Sequence, residues 1–347
     1  MFKGLNFTVI IIFVSAIFFS WLLTFIIRNY SLKKGIIDVP NARSSHEIPT
    51  PRGGGVSFVI VSLVALIILM AFEIIMLKEG GGIFLACIIT ALVGFVDDHR
   101  PLNPRVRLIS HFMAAIIGVV SLGGLPPLPM FGAVVDLGLP GNVLAVIGVV
   151  WILNLYNFMD GIDGIASVEG LSYLVSIGSL LFIFFEAGYV CLLYGIFSAA
   201  LLGFLVWNFP PAKIFMGDAG SGFIGIFLAL LGIYSSHIDP KFFWVSLIML
   251  GVFMVDATIT LVVRMRRGEK ASEAHRSHAY QFAARRYGHL PVTLTVLLIN
   301  IIWLAPLALA VIAEKIDGLA AFLIAYLPLG ILAFRFNSGK AEKDIVT

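Results

Sequence analysis

Charge is what this sequence has least of. Asp, Glu, Lys and Arg together make up 12% of its 347 residues while hydrophobic residues reach 60%, against about 25% and about 45–50% in soluble domains. No soluble fold hides that much apolar surface, so a bilayer must be the solvent. Cysteine is nearly absent: Cys87 and Cys191 both fall inside apolar runs, which argues against a disulfide scaffold or a zinc site. The period-two alternation of lipid-facing strands is missing as well, so the apolar runs are read as helices. The sequence has no internal repeat, no low-complexity tract and no separate soluble domain, and no nucleic-acid partner is expected of it.

What is present is a series of apolar runs of spanning length. A bilayer core needs about 20 helical residues. Cutting the chain at charged and Gly/Pro-rich breaks gives spans at about 7–27, 54–76, 82–97, 107–124, 142–158, 165–186, 189–207, 219–235, 242–263, 292–313 and 317–334. The tightest break is Ala187-Gly188. Lys3 before the first run resembles a signal peptide, but that run is long enough to span and no small-residue cleavage site follows, so it is read as an uncleaved helix. The expected fold is an all-α polytopic bundle, one integral membrane domain over 1–347.

Lys and Arg orient it. One set of alternate loops plus the C-terminal tail, Arg43 and Lys343 among them, holds 19 of the 23, and the other holds only Lys3, Lys78, Lys241 and Lys315. The bias predicts an outside N-terminus and a cytoplasmic C-terminus. The cytoplasmic loops then fall at about 28–53, 98–106, 159–164, 208–218 and 264–291, and the external loop 125–141 reads as a turn-rich connector.

Three of those cytoplasmic loops carry five aspartates and no glutamate: Asp97 and Asp98, Asp160 and Asp163, and Asp218. Singly, each has a plain structural reading, such as a turn in Asp-Gly or a helix cap at Asp218. Together they call for a compensating cation, since adjacent carboxylates repel. Carboxylates beside amides are the hard oxygen donors that Mg²⁺, or alternatively Mn²⁺, prefers, and Mg²⁺ commonly pairs them with substrate phosphates. Asn154, Asn157, Asp160 and Asp163 recur every third residue, so the first three are expected along one helix face. Gly53-Gly54-Gly55 after Arg52 would let backbone amides approach an anion. The basic loop 264–291, where Glu269 and Glu273 are the only acids, offers cations for a diphosphate, with His275 and His278 facing one way if helical. Asp256 is an intramembrane carboxylate, a functional candidate by default. His111 reads as packing or interfacial.

Five strings resemble one family: Pro-Thr-Pro-Arg-Gly-Gly-Gly at 49–55, Asp97-Asp98, Asn-x-x-Asn-x-x-Asp-Gly-x-Asp-Gly at 154–164, Asn208 with Phe-Met-Gly-Asp-x-Gly-Ser at 215–221, and the histidine loop at 275–281. The family is that of the bacterial polyprenyl-phosphate N-acetylhexosamine-1-phosphate transferases, related to the translocase that makes lipid I of peptidoglycan. The resemblance implies about ten or eleven helices with an active site on the cytoplasmic side of the inner membrane. It implies Asp218, with Asn154, at a Mg²⁺ ion, Asp97 and Asp98 beside it, and Asp97 activating the lipid phosphate. It places Asn154 and Asn157 near metal and diphosphate, and Asp160 near the nucleotide-sugar. Asp163 and Asn208 would touch uracil or ribose, with Phe215 stacking on the base. Asp160 and His278 join the catalytic set, and Arg52, His275 and Arg276 the substrate contacts. The sequence departs at Arg100-Pro101, where the family often has a third aspartate, and at Tyr280-Gln281, where many members have paired histidines. That pattern resembles the O-antigen-initiating branch.

The implied reaction joins N-acetylhexosamine-1-phosphate from a UDP-sugar to undecaprenyl phosphate, releasing UMP, with a homodimer as one assembly to consider. The reading from another class is an ion-coupled transporter using Asp256 and the Asp/Asn helices. Repeats and a midplane site are usual there, and this sequence shows neither.

Overall fold

The computed structural model describes residues 7–40, 48–185, 188–270 and 275–341; the expectations attached to Lys3, Arg43, Ala187, Glu273 and Lys343 lie outside them. Nearly everything described is helical: α1 (Phe7–Lys34), α2 (Val56–Ala71), α3 (Leu77–His99), α4 (Pro104–Ser121), α5 (Gly138–Met159), α6 (Ile165–Phe184) and α7 (Gly188–Asn208). There follow α8 (Asp218–Ile238), α9 (Lys241–Met249), α10 (Gly251–Arg266), α11 (Ala279–Tyr287), α12 (His289–Ile299), a π turn (Asn300–Leu304), α13 (Ala305–Ile312) and α14 (Gly318–Arg335). Two antiparallel ribbons complete it, β1 (Ile37–Asp38) with β2 (Thr50–Pro51) and β3 (Leu128–Met130) with β4 (Ala133–Val135).

Every expected span meets a helix. Among the described residues nine helices are long and apolar enough to cross a membrane, counting α12 through α13 as one, and α9 with α10 makes a tenth crossing bent by 68°. The remaining expected span is α2, shortened to 16 residues. The chain is a multi-spanning helical membrane bundle. At the α9–α10 bend two backbone bonds carry across the break: Leu250 N–H reaches Ser246 O (3.2 Å) and its carbonyl accepts from Met254 N–H (2.9 Å). That is what makes an interrupted helix tolerable in hydrocarbon.

The core helix is α8, whose apolar window is 94% buried and which packs between α3 and α5. Its glycine-rich start (Asp218-Ala219-Gly220-Ser221-Gly222) suits close helix approach. Loops gather at two opposite ends. At one, the 125–141 connector forms the β3–β4 hairpin, held by Phe131 N–H to Asp317 Oδ2 (2.8 Å), beside the Lys241–Glu314 ion pair (2.8 Å). The other end collects the aspartate loops.

Two expectations need correction here. Residues 275–278 are not helical, since α11 starts at Ala279, yet the His275 and His278 rings still meet with centroids 4.9 Å apart. Asp256 is not a free intramembrane acid: it accepts Ala279 N–H and Tyr280 N–H (2.9 Å each), together with the Thr260 and Ser338 hydroxyls. Its carboxylate anchors the first turn of α11, satisfying amides that a helix start leaves orphaned.

Candidate active site

The site is built on the N-terminus of α8. Gly217 precedes it with φ +81°, a conformation open to glycine, and turns the chain so that the first two amides point at α3. Asp218 N–H and Ala219 N–H donate to Asp98 Oδ1 (2.9 Å) and Oδ2 (3.2 Å). The cap therefore comes from another helix, which leaves the Asp218 side chain out of that role. A carboxylate there also complements the positive end of the helix dipole. The approach needs Gly94 on α3, where a β-carbon would lie 2.6 Å from Ala219 N.

Asp97 is tied differently. It accepts Leu102 N–H (2.6 Å) and pairs with the Arg107 guanidinium from α4. Arg52 bridges the other two acids, with Nη2 2.9 Å from Asp98 Oδ1 and 2.8 Å from Asp218 Oδ1. Burial alone would lower the Arg52 pKa, but Asp218, Asp98 and Asp38 raise it on balance, so it stays a cation. Two of the three glycines after it do not offer amides to an anion: Gly54 N–H and Gly55 N–H are bonded to the Phe215 (2.9 Å) and Met216 (2.8 Å) carbonyls. Gly55 is needed for closeness, since a β-carbon there would stand 2.7 Å from Gly220 Cα. The 49–55 and 215–221 strings thus pack on each other and set Arg52 against Asp218.

From α5, Asn157 Nδ2 donates to Asp218 Oδ1 (3.2 Å) and Ser221 Oγ (3.0 Å), while Asn154 Nδ2 turns back to Val150 O (2.7 Å). Asp97, Arg107, His111, Asn154, Asn157 and Asp218 line a cavity of about 20 Å³, room for a single water-sized species. His111 thus belongs to the site rather than to helix packing. It lies four residues after Arg107 on α4, a spacing that puts both on one face and was the available signal.

Asp160 does not continue the face of Asn154 and Asn157. Helix α5 stops at Met159, and Asp160 sits half-buried in the turn beyond it, outside the cavity lining. Burial, then the charge of Asp218, pushes its pKa well above the ordinary carboxylate value. Asp163 accepts Ala212 N–H (2.9 Å) and lies 3.2 Å from His289 Nδ1. Asn208 is buried, donating to Ile214 O (3.1 Å) and accepting from Ser167 Oγ (3.4 Å), which makes it a support of the 209–217 loop rather than a surface contact. Phe215 is half-buried.

The histidine loop lies against the same end of α5. His278 is 3% exposed, with Nδ1 3.6 Å from Asp256 Oδ1 and its ring stacked on Phe158 and Tyr280. Such burial gives it a place in the support of the site instead of an open face. His275 is more open, bonded to Ser277 Oγ (3.0 Å). Its burial, then His278 and Arg264, pushes its pKa down to about 3, so it is neutral at physiological pH. Arg276 follows it, with its carbonyl accepting from Arg285 (3.3 Å).

Among the described residues no three His, Cys, Asp or Glu side chains form a ready metal-ligand set. Magnesium asks for less, often one or two carboxylates completed by waters and phosphates. Asp97 and Asp218 with the Asn154 and Asn157 amides, around a cavity of this size, are a donor set that fits it. The ends of α3, α5 and α8 thus combine acids, amides and two arginines in one place. The arrangement can hold a cation and an anionic group together.

Comparison with known sequences agrees. Residues 81–236 match Glycosyl transferase family 4. The chain is 29% identical over 304 residues to a "probable undecaprenyl-phosphate N-acetylglucosaminyl 1-phosphate transferase" of Bacillus subtilis, covering 85% of this chain and 83% of that one. It is 31% identical to the phospho-N-acetylmuramoyl-pentapeptide-transferases of Streptococcus pneumoniae (62% of this chain, 67% of that one) and Campylobacter lari (65% and 70%). The convergence of the motif strings on one site and these matches lead to one conclusion: the chain is an enzyme belonging to Glycosyl transferase family 4.

Proposed function

We propose that the protein transfers N-acetylhexosamine-1-phosphate from a UDP-sugar to undecaprenyl phosphate at the cytoplasmic face of the bacterial inner membrane. This would open assembly of O-antigen or another cell-surface polysaccharide. The observation that carries the reading is the meeting of Asp97, Asp98 and Asp218, from distant stretches of chain, with Asn157 and Arg52 at one end of the bundle. The orientation rests on the Lys/Arg bias of the loops, 19 against 4.

In this reaction an oxygen of the lipid phosphate forms a bond to the β-phosphorus of the UDP-sugar. The bond from that phosphorus to the bridging oxygen breaks, and UMP departs with its electron pair. Both reactants are anions, so the barrier is chiefly one of positioning and charge. Asp218 and Asp97, with Asn154 and Asn157, would hold Mg²⁺, which when bound offsets the charge of the diphosphate. Arg52 and Arg107 add fixed positive charge at the same place. Asp98 keeps the first turn of α8 in position, and Phe215, which follows the family pattern in sequence, would stack on the base. The transporter reading loses its intramembrane acid, because Asp256 is engaged with α11.

The test is purified protein with undecaprenyl phosphate, Mg²⁺ and a panel of UDP-N-acetylhexosamines, scoring UMP. Lipid-dependent UMP release from one donor supports the reading and names the sugar. No release from any donor removes it.

A further inference from the structure

The turn carrying Asp160 is gripped from outside its own helix. Phe158 lies in the last turn of α5, where carbonyls have no helical partner, and its oxygen accepts from Tyr280 Oη (3.0 Å). The backbone at Gly161 lies against the same hydroxyl, so one phenol touches both sides of Asp160. A β-carbon at Gly161 would collide with Tyr280 Oη and stand 3.2 Å from Gln281 Nε2. Burial pushes the Tyr280 pKa well above its ordinary value, which keeps the hydroxyl a donor. Tyr280 itself is 5% exposed and set by Asp256, whose two oxygens take the Ala279 and Tyr280 amides. Farther along the turn, Thr293 Oγ1 bonds to Asp163 O (2.9 Å).

We propose that Tyr280 is a positioning residue: anchored through Asp256, its hydroxyl fixes the Phe158–Gly161 turn and thereby the placement of Asp160 for the transfer reaction. The inference rests on the reaction proposed above. It gives a role to a position where this sequence departs from the family pattern it otherwise resembles, and it makes Asp256 a distant support of the same turn.

The test is a cycle of Tyr280→Phe, Gly161→Ala and the double variant, read by UMP release and by hydrogen exchange over 159–164. Tyr280→Phe removes one oxygen and keeps the ring. It should lower kcat by about 10- to 100-fold, the scale of a misplacement near 1 Å, with KM for the lipid unchanged and faster exchange at 159–164. Gly161→Ala should be impaired more than Tyr280→Phe, and the double variant should recover toward Tyr280→Phe, because the methyl then occupies the space of the missing hydroxyl. Wild-type kcat and exchange in Tyr280→Phe would overturn the proposal, as would a Gly161→Ala defect indifferent to residue 280. If the wild type releases no UMP, the reaction reading fails; unchanged exchange in Tyr280→Phe beside an active wild type fails the clamp alone.

Discussion

Asp98 and Asp218 both touch Arg52, yet the structure gives them different work, and replacing each by Asn separates it. Asp98 is the cap of α8: it holds two backbone amides and is almost wholly buried, with 4% of its side chain exposed. Asp98→Asn keeps one acceptor oxygen, turns an NH₂ toward an amide that needs an acceptor, and removes the charge facing the helix dipole. Loss of a cap costs about 0.5–2 kcal/mol and loss of the dipole interaction about 0.3–1 kcal/mol. The Arg52 pair adds little, because Arg52 is about one-third exposed (34%) and water screens it. Asp98→Asn should therefore destabilise by about 1–3 kcal/mol, which lowers the melting midpoint by several degrees. Asp218 bonds side chains only, through Arg52 and Asn157, so Asp218→Asn should melt within a degree or two of the wild type while turnover disappears. The assay is thermal unfolding of both variants in one detergent beside UMP release. A full loss of stability in Asp218→Asn, with none in Asp98→Asn, would refute the assignment.

Further outcomes follow from the same contacts. Gly55→Ala sets a methyl 2.7 Å from Gly220 Cα, backbone against backbone, and should abolish both folding yield and activity in a membrane-fraction assay. Glu169 on α6 is fully buried and accepts from Asn300 Nδ2 (2.6 Å), so Glu169→Gln should be tolerated and Glu169→Ala should cost about 1–3 kcal/mol by stranding Asn300; detergent melting curves distinguish them. His275 binds its proton less readily folded, at about 3, than at its ordinary value of 6.5. Its protonation therefore weakens the fold progressively as pH falls from about 6.5 toward 3 and not above it. Relative to wild type, His275→Gln should lose less stability between pH 6.5 and pH 4.5, which melting at stepped pH reads directly.

The spans were legible because hydrocarbon demands long apolar helices, a requirement composition alone reveals. What composition does not carry is geometry within a span. The bend at Leu250 leaves no charge or proline at the break, since its backbone bonds continue through Ser246 and Met254. Helix α11 is short and amphipathic, and it forms where Asp256, far off in sequence, supplies its cap. In the site, the aspartates of α3 and α8 were legible as types and as loop ends, but which one caps a helix is decided by which backbone amides it faces. Gly53-Gly54-Gly55 reads as an anion cradle because free and paired amides look alike in sequence; the carbonyls of Phe215 and Met216 take the amides of Gly54 and Gly55. His111 reads as packing because it is a lone histidine in an apolar run; its spacing from Arg107 is a weak signal, and the neighbours Asp97 and Asn154, from other helices, are what place it in the site.

The central proposal is that Asp97 and Asp218, with the amides of Asn154 and Asn157, hold one divalent cation where the end of α3 meets the start of α8. Electron paramagnetic resonance of Mn²⁺ titrated into purified protein tests it most directly. The account predicts a single saturable site that Mg²⁺ displaces, that a UDP-sugar strengthens, and that Asp218→Asn removes. Equal Mn²⁺ binding in the wild type and Asp218→Asn would contradict it.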